Sequence, residues 1–362
     1  MCCAVTYEAH TVHCEDSMQQ KSRTDKFKLN TSIGIIAQAL TLLISFVNRR
    51  LFIHFFSIDY LGINGLFSNI LSLLSLAELG LGTVATFSLY KPVADKDETL
   101  IYALVHYYKK LYLIVALLIS AVGITFIPFL KYIVKSELPE SQLIIYYLLF
   151  LLNTIVSYFA AHKVALLAAN QESRTQKITE LLTTFIQQIV HIVVFLVYPN
   201  FLIYISSTIA VTLAGKIALN IIADRRYGCC LRKSTQKVNF DKDIIKHNLK
   251  SSAIYKLSNV LVNDTDNILI SLLVSTAAVG IYSNYCTITS ALQGFIMIVT
   301  VAISNAVGNL FASKERARLL QVFNIIVLFY HFISCYCAVS MYFLFNDFIT
   351  IWLGGQYVLD NL

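Results

Sequence analysis

The sequence predicts an all-α, polytopic membrane protein, and three observations carry that reading. The 362 residues are 57% hydrophobic and only 14% charged, with a mean hydropathy of +0.67, whereas a soluble domain carries about 25% charged residues to cover its surface. Apolar residues run for about twenty at a time, the length of helix that crosses a bilayer, instead of alternating as the strands of a membrane β-barrel do. The lysines and arginines, finally, gather in alternate connections. Together these features exclude an ordinary cytosolic enzyme, a disordered regulator and a nucleic-acid-binding domain, despite the net charge of +7.

The polar segment 1–29 comes first. Cys2, Cys3, His10, His13 and Cys14 are metal-ligand types, but without paired CxxC spacing and ahead of any fold. Met18 opens a more typical beginning, MQQKSRTDKFKLN, so residues 1–17 are expected to be dispensable or an upstream misreading. The first apolar stretch is a full-length span with no small-residue cleavage site after it, so no cleavable signal peptide is visible. Nine spans are expected: 30–56, 62–90, 109–130, 142–168, 178–197, 200–223, 251–275, 279–308 and 319–345. A tenth would begin near Asp360. Cys286, Cys335 and Cys337 fall inside spans, where a thiol behaves as a small hydrophobe. Cys229 and Cys230 lie in a basic connection expected in the reducing cytoplasm.

Most of the 28 basic residues lie before the first span and in the second, fourth, sixth and eighth connections. Only Lys131 and Lys135 lie on the opposite side. By the positive-inside rule the N-terminus is cytoplasmic, and the net charge is a belt facing water and lipid headgroups. The outer connections, Ser57–Leu61, Tyr198–Asn200 and Ser275–Ala278, are too short to fold into a domain.

The two halves repeat at an offset near 219 residues. YLGINGLFSNI, around Gly62, corresponds to AVGIYSNYCTI, around Gly280. A span opened by a polar pair or triplet precedes each, at Asn30-Thr31-Ser32 and Lys250-Ser251-Ser252. A second span and a basic connection follow each. Residues 30–223 then form a first six-helix lobe, 224–250 a basic cytoplasmic linker, and 251–362 about three spans of a second copy, three fewer than the symmetry implies. Six spans return the chain to the same side, so the copies are parallel, about a pseudo-two-fold axis along the membrane normal. Transporters built of repeats bind substrate between them and rock them to alternate its exposure.

The segment LGINGLFSNILSLLSLAELGLGTVATFSLYKPVADKD resembles the corresponding region of bacterial polysaccharide transporters, the lipid-linked oligosaccharide flippases of the MOP superfamily. NDTDNILISLLVSTAAVGIYSNY resembles its counterpart in their second lobe, and FITIWLGGQYV the stretch before their tenth helix. The resemblance covers about residues 28–360. It implies a MATE-like, alternating-access architecture of two helical lobes around a central cavity. It also implies export of undecaprenyl-pyrophosphate-linked repeat units across the bacterial plasma membrane, for capsule, O-antigen or exopolysaccharide synthesis. The partners it implies are the lipid-linked oligosaccharide, membrane lipids and polysaccharide polymerase machinery; nucleic acid is not among them.

An ionisable side chain near the bilayer centre costs about 2.5–3.5 kcal/mol on insertion scales, so it normally faces a cavity or a partner. Arg49 and Arg50 lie late in the first span and point about 100° apart. One can face a cavity and grip a phosphate through its fork of donors; snorkelling of both to headgroups is the alternative. Glu78, in AELGLG, must pair or be protonated, in a helix that Gly80 and Gly82 leave able to kink or pack closely. A tie to a basic group on a neighbouring helix stands beside a proton- or cation-coupling role. Asn263, Asp264, Asp266 and Asn267 fall mid-span, with Asp264/Asn267 and Asn263/Asp266 each three apart and so on one helix face. Their oxygens suit a hard cation such as Na⁺ or a proton; a helix-locking polar cluster is the alternative. By the repeat, Asp266 and Asn267 match Asn48 and Arg49, so a resting ion pair between Arg49 or Arg50 and Asp266 is expected. Lys163, Lys216 and Lys256, with His162, are near enough to the inner side to snorkel; drawing in the phosphate of a substrate that enters from the cytoplasm is the alternative. No cofactor is expected beyond coupling to H⁺ or Na⁺, and neither a zinc motif nor a GxxxxGK[ST] phosphate loop occurs. No enzyme is expected, because a membrane glycosyltransferase or polymerase needs a large outer loop or acidic metal motif. A drug/cation antiporter of the same superfamily and an inactive, shortened transporter remain as alternatives, the first opposed by the arginine pair.

Overall fold

A computed structural model describes residues 23–78, 80–136, 138–231, 242–312 and 316–359. The cysteine–histidine cluster of residues 2–14, the expected start at Met18 and the expected tenth span lie outside them. The described residues contain helices and no strand. In chain order the principal helices are α1 (Arg23–Phe55), α2 (Ile58–Leu74), α3 (Leu81–Ala94), α4 (Glu98–Thr125), the short α5 (Leu130–Ile133), α6 (Glu140–Ser157), α7 (Ala161–Ala169), α8 (Ser173–Val197), α9 (Phe201–Leu231), α10 (Lys242–Asn263), α11 (Asp266–Leu273), α12 (Thr276–Ala312) and α13 (Arg316–Trp352).

Six helical stretches among the described residues are long and apolar enough to cross a membrane: Ile58–Ala94, Glu98–Thr125, Glu140–Ala169, Arg174–Val197, Phe201–Gly228 and Leu320–Trp352. The chain is a multi-pass membrane protein. Those six fall on the expected second to sixth and ninth spans, while α1 and α12, of 33 and 37 residues, overlie the first and eighth. Their outward faces are apolar, as lipid requires: Leu113, Ile114, Leu117 and Leu118 of α4 are all exposed, whereas Tyr108, Tyr112 and Ile119 of the same helix are buried.

The expected seventh span is not one helix. It breaks at Asp264 and Thr265, between α10 and α11. Four short amide and carboxylate side chains in five residues compete with helical backbone bonding, and the α2 helix supplies replacements. Asn69 Nδ2 donates to the Asp264 carbonyl at 3.0 Å, and Ser72 Oγ donates to the Asp264 carboxylate at 2.6 Å. The second span is also interrupted, by a 3₁₀ turn at Ser75–Glu78 and by Gly80 in the left-handed region at φ 72°. Glycine is required there twice over. Its φ disfavours any Cβ, and an added Cβ would stand 2.7 Å from Ser252 Cβ of α10.

The chain divides into two compact units. The smaller comprises the described residues up to Leu43 with those of Thr289–Cys335, and the larger comprises Ile44–Ile288 with the described part of Tyr336–Leu362. In the smaller, the Thr300 and Tyr330 hydroxyls are 2.6 Å apart, tying α12 to α13. The larger unit holds the main core, in which Phe67, Leu66, Tyr108, Tyr147 and Ile119 are fully buried. An aromatic cluster of Phe52, Phe56, Phe195, Phe201 and Tyr204 closes α1 against α8 and α9.

Within that unit the repeat appears as reciprocal contact. A Cβ on Gly62 would fall 1.9 Å from the Thr276 carbonyl oxygen, and one on Gly280 would fall 2.5 Å from the Ile58 carbonyl oxygen. Both pairs are related by the same offset of 218 residues. The relation recurs one turn deeper: Arg49 bonds Ser283, and its counterpart Asn267 stands 3.4 Å from where a Gly65 Cβ would lie. At these positions, residues separated by the repeat offset meet with their roles exchanged. Gly62→Ala and Gly280→Ala are each expected to cost about 1–3 kcal/mol through overpacking, whereas Gly228→Ala, with open space around it, is expected to be neutral or stabilising; thermal unfolding in detergent measures all three. At the start of α4, Asp97 accepts from the Thr99 hydroxyl and from the backbone N–H groups of Leu100 and Thr99, which holds its carboxyl below the usual range. That cap is therefore expected to contribute fully above the unfolded carboxylate's pKa and to be lost as pH falls through the depressed folded value. Melting curves against pH, with Asp97→Asn removing the dependence, check it.

Candidate functional site

The hydroxyls and amides carried by α2, α6, α8 and α9 converge on a cavity of about 660 Å³, lined among others by Asn64, Ser68, Ser72, Ser75, Glu78, Asn153, Thr154, Ser157, Tyr158, Gln187, Tyr204, Thr208 and Lys216. Local geometry decides what this wall offers. Ser68 donates to the Asn64 carbonyl, Ser75 to Ser72, Thr154 to Phe150, Ser157 to Thr154 and Thr208 to Tyr204, at 2.6–3.1 Å. A hydroxyl has one proton and two lone pairs, so these side chains spend their protons within their own helices and present acceptor oxygens to the cavity. Asn153 Oδ1 is buried without a hydrogen-bond partner among the described residues. An acceptor-rich wall of this kind suits a ligand with many O–H donors.

Glu78 lines this cavity from the 3₁₀ turn, and its Oε2 accepts from Lys256 Nζ of α10 at 2.7 Å. The phenols of Tyr112 and Tyr158 stand beside the carboxylate. The structural tie expected for Glu78 is thus formed, and Lys256, expected to snorkel, is its partner instead. Lys163 is likewise held, by both carboxylate oxygens of Asp224 at 2.6 and 2.7 Å. Lys216 lines the cavity. Lys163 and Lys256 are thus each held by a carboxylate.

A second space, of about 200 Å³, adjoins the first, sharing Asn64, Gln187 and Tyr204 with it and adding Asn48, Arg49, Gln188 and His191. Asn48 Nδ2 donates to the Gln188 carbonyl at 3.0 Å and to its side-chain oxygen, fixing α1 to α8. His191 lies 3.0 Å from the Thr208 hydroxyl. Arg49 donates through Nη1 to Ser283 Oγ at 3.3 Å, and through Nη2 to the Ser283 carbonyl at 3.1 Å and Thr287 Oγ1 at 2.5 Å. All of its acceptors are neutral, and among the described residues no ion pair joins it to a carboxylate.

The expected Arg49–Asp266 pair is therefore not formed. Asp266 accepts instead from Tyr282 OH at 2.9 Å. The four polar residues of the seventh span do not share one continuous helix, because the break at Asp264 and Thr265 falls among them. Asn263 donates to Asn259, and Asp264 faces Ser72. Asn267 Oδ1 is buried with no protein partner. Arg50, about 100° around α1 from Arg49, enters a separate space of about 490 Å³ with His54, Gln356 and Tyr357. Among the described residues no group of three His, Cys, Asp or Glu side chains is placed to hold a metal ion.

Of the seven residues singled out by sequence, Arg49 and Glu78 line the two adjoining spaces, Asp264 is fastened to a lining serine, and the others point elsewhere. Sequence reasoning missed Asn153, Gln187 and Tyr204. The first two are polar side chains deep within apolar spans, which is a readable signal; Tyr204 looks like any aromatic of a membrane helix.

A family model described as polysaccharide biosynthesis protein matches residues 27–304. No curated protein and no solved structure matches the chain.

Removing a hydroxyl acceptor from a charged donor costs about 1.5–3 kcal/mol. Thr287→Val is therefore expected to destabilise the protein by about that amount. Ser283→Ala is expected to cost less, since its carbonyl still accepts from Arg49. Thermal unfolding in detergent distinguishes the two.

Proposed function

The chain belongs to the polysaccharide biosynthesis protein family, the polysaccharide transporters and flippases of the MOP superfamily, and on that premise we propose that it moves a lipid-linked oligosaccharide between the leaflets of the bacterial plasma membrane. The observation that carries this reading is the pairing of an acceptor-rich cavity with an arginine that has no acidic partner among the described residues. Sugar hydroxyls would donate to the hydroxyl and amide oxygens of the 660 Å³ cavity. The diphosphate would take the free charge of Arg49 in the adjoining space, replacing the neutral acceptors Ser283 and Thr287. The polyprenyl chain would stay in lipid. No bond is made or broken. Transport proceeds by rocking the two copies about their reciprocal contact, so that the cavity faces one side and then the other.

With the basic connections on the cytoplasmic side, cargo enters from the inner leaflet and leaves toward the outer one, for capsule, O-antigen or exopolysaccharide assembly. Its driving force is an H⁺ or Na⁺ gradient or consumption of the sugar beyond the membrane, and Glu78 is the carboxylate lining the cavity through which an ion could act. A cationic drug is the poorer cargo, since Arg49 and Lys216 would both repel it.

Reconstituted into liposomes, the protein is expected to accelerate leaflet exchange of a fluorescent undecaprenyl-pyrophosphate oligosaccharide over empty vesicles. A charged contact of about 1.5–3 kcal/mol corresponds to roughly 10–100-fold in rate, so Arg49→Gln should slow exchange by that factor and Arg49→Lys by less. Exchange no faster than in empty vesicles would refute the reading; drug-driven cation exchange would favour the antiporter.

A further inference from the structure

We propose that the Glu78–Lys256 ion pair is a latch between the two copies that a phosphate-bearing headgroup, entering the 660 Å³ cavity ahead of its seat on Arg49 in the adjoining space, releases by taking Lys256 from Glu78. The inference deepens the transport reading and rests on it for the identity of the anion.

Three observations converge. First, the pair joins the copies: Glu78 belongs to the cavity wall of the first, and Lys256 to α10, which packs against α3 and the 3₁₀ turn of that wall. Second, the pair is not sealed. Its side chains are 20% and 22% exposed, and Glu78 lines the cavity that also holds Lys216, so a ligand there meets the Glu78 side of the bridge. Third, Glu78 sits on an interruption, in the 3₁₀ turn just ahead of Gly80 at φ 72°. The carboxylate can therefore swing away without unwinding a continuous helix.

The competition has a defined direction. Coulomb attraction scales with charge at a given distance, and a diphosphate carries at least two negative charges against one on Glu78. Lys216 adds a second cation on the cavity wall for the incoming group. Once Lys256 turns to phosphate, α10 loses its charged tie to the first copy, and cargo binding is coupled to separation of the two.

The test uses the full chain in detergent micelles with inorganic pyrophosphate and, separately, farnesyl diphosphate, by calorimetric titration. Glu78→Gln, which frees Lys256, is expected to tighten both ligands about tenfold. Lys256→Gln should weaken both at least tenfold, and Lys256→Arg should restore them to within threefold. Should a variant fail to fold, the unaltered protein supplies a second measurement. A carbodiimide condenses a touching ammonium and carboxylate into an amide, with the water taken up as urea, and the Glu78–Lys256 cross-link is quantified by peptide mass spectrometry. Either ligand should reduce that cross-link. Farnesyl diphosphate at least as effective as pyrophosphate supports a lipid headgroup; pyrophosphate acting alone overturns that assignment. Binding that depends on Arg49 but ignores Glu78 and Lys256, or a cross-link indifferent to both ligands, overturns the latch and leaves the transport reading standing. Competition that persists where liposomes exchange no oligosaccharide leaves the latch and removes transport.

Discussion

Two glycines let two backbones touch. Where Gly62 meets the Thr276 carbonyl and Gly280 meets the Ile58 carbonyl, a methyl group would fill the gap, and the helices could not approach. Lipid provides no hydrophobic force to press helices together, so close packing at small residues does that work. The rest of the larger unit depends on this approach. It brings the end of α1 beside α12, which lets Arg49 reach Ser283 and Thr287, and it brings α11 beside α2. Because the contact is reciprocal, a change at one glycine is felt in both copies.

The charges follow a different rule from the one their positions suggest. Long side chains near the ends of spans can escape to headgroups, but Lys256 finds the partly buried Glu78 carboxylate and Lys163 the exposed one of Asp224. A bridge that is partly open to a cavity gains less than a sealed one and leaves both partners available. Glu78 and Lys256 are in that condition. Arg49 is in the opposite one, held on neutral oxygens with its charge uncompensated by any described acid.

Much of this was legible beforehand. The all-helical, membrane-spanning class followed from composition and from apolar runs of helix length. The kink at Gly80 and the tie on Glu78 were readable because each residue type has few uses inside a bilayer. The close approach at Gly62 and Gly280 was readable because the two stand in matching strings. The seventh span was read as continuous because periodicity cannot register how Asn69 and Ser72, about 195 residues away, satisfy the backbone around Asp264. Arg49 was assigned the wrong partner for a related reason: the repeat aligned Asp266 with Asn48 in depth, but it could not tell which face of α11 turns toward α1. The polar cavity itself, built from four helices, is a property of tertiary packing, and only its scattered amides left a trace in the sequence.

An unbalanced guanidinium inside a membrane also answers to voltage. Moving one elementary charge through the whole potential is worth about 2.3 kcal/mol per 100 mV. If rocking carries Arg49 across a quarter of that field, about 0.6 kcal/mol of electrical work accompanies each reorientation. A diphosphate brings at least two negative charges to the arginine's one, so the loaded protein would carry a net negative charge where the empty one carries a positive one, and an energised membrane acts on the two in opposite senses.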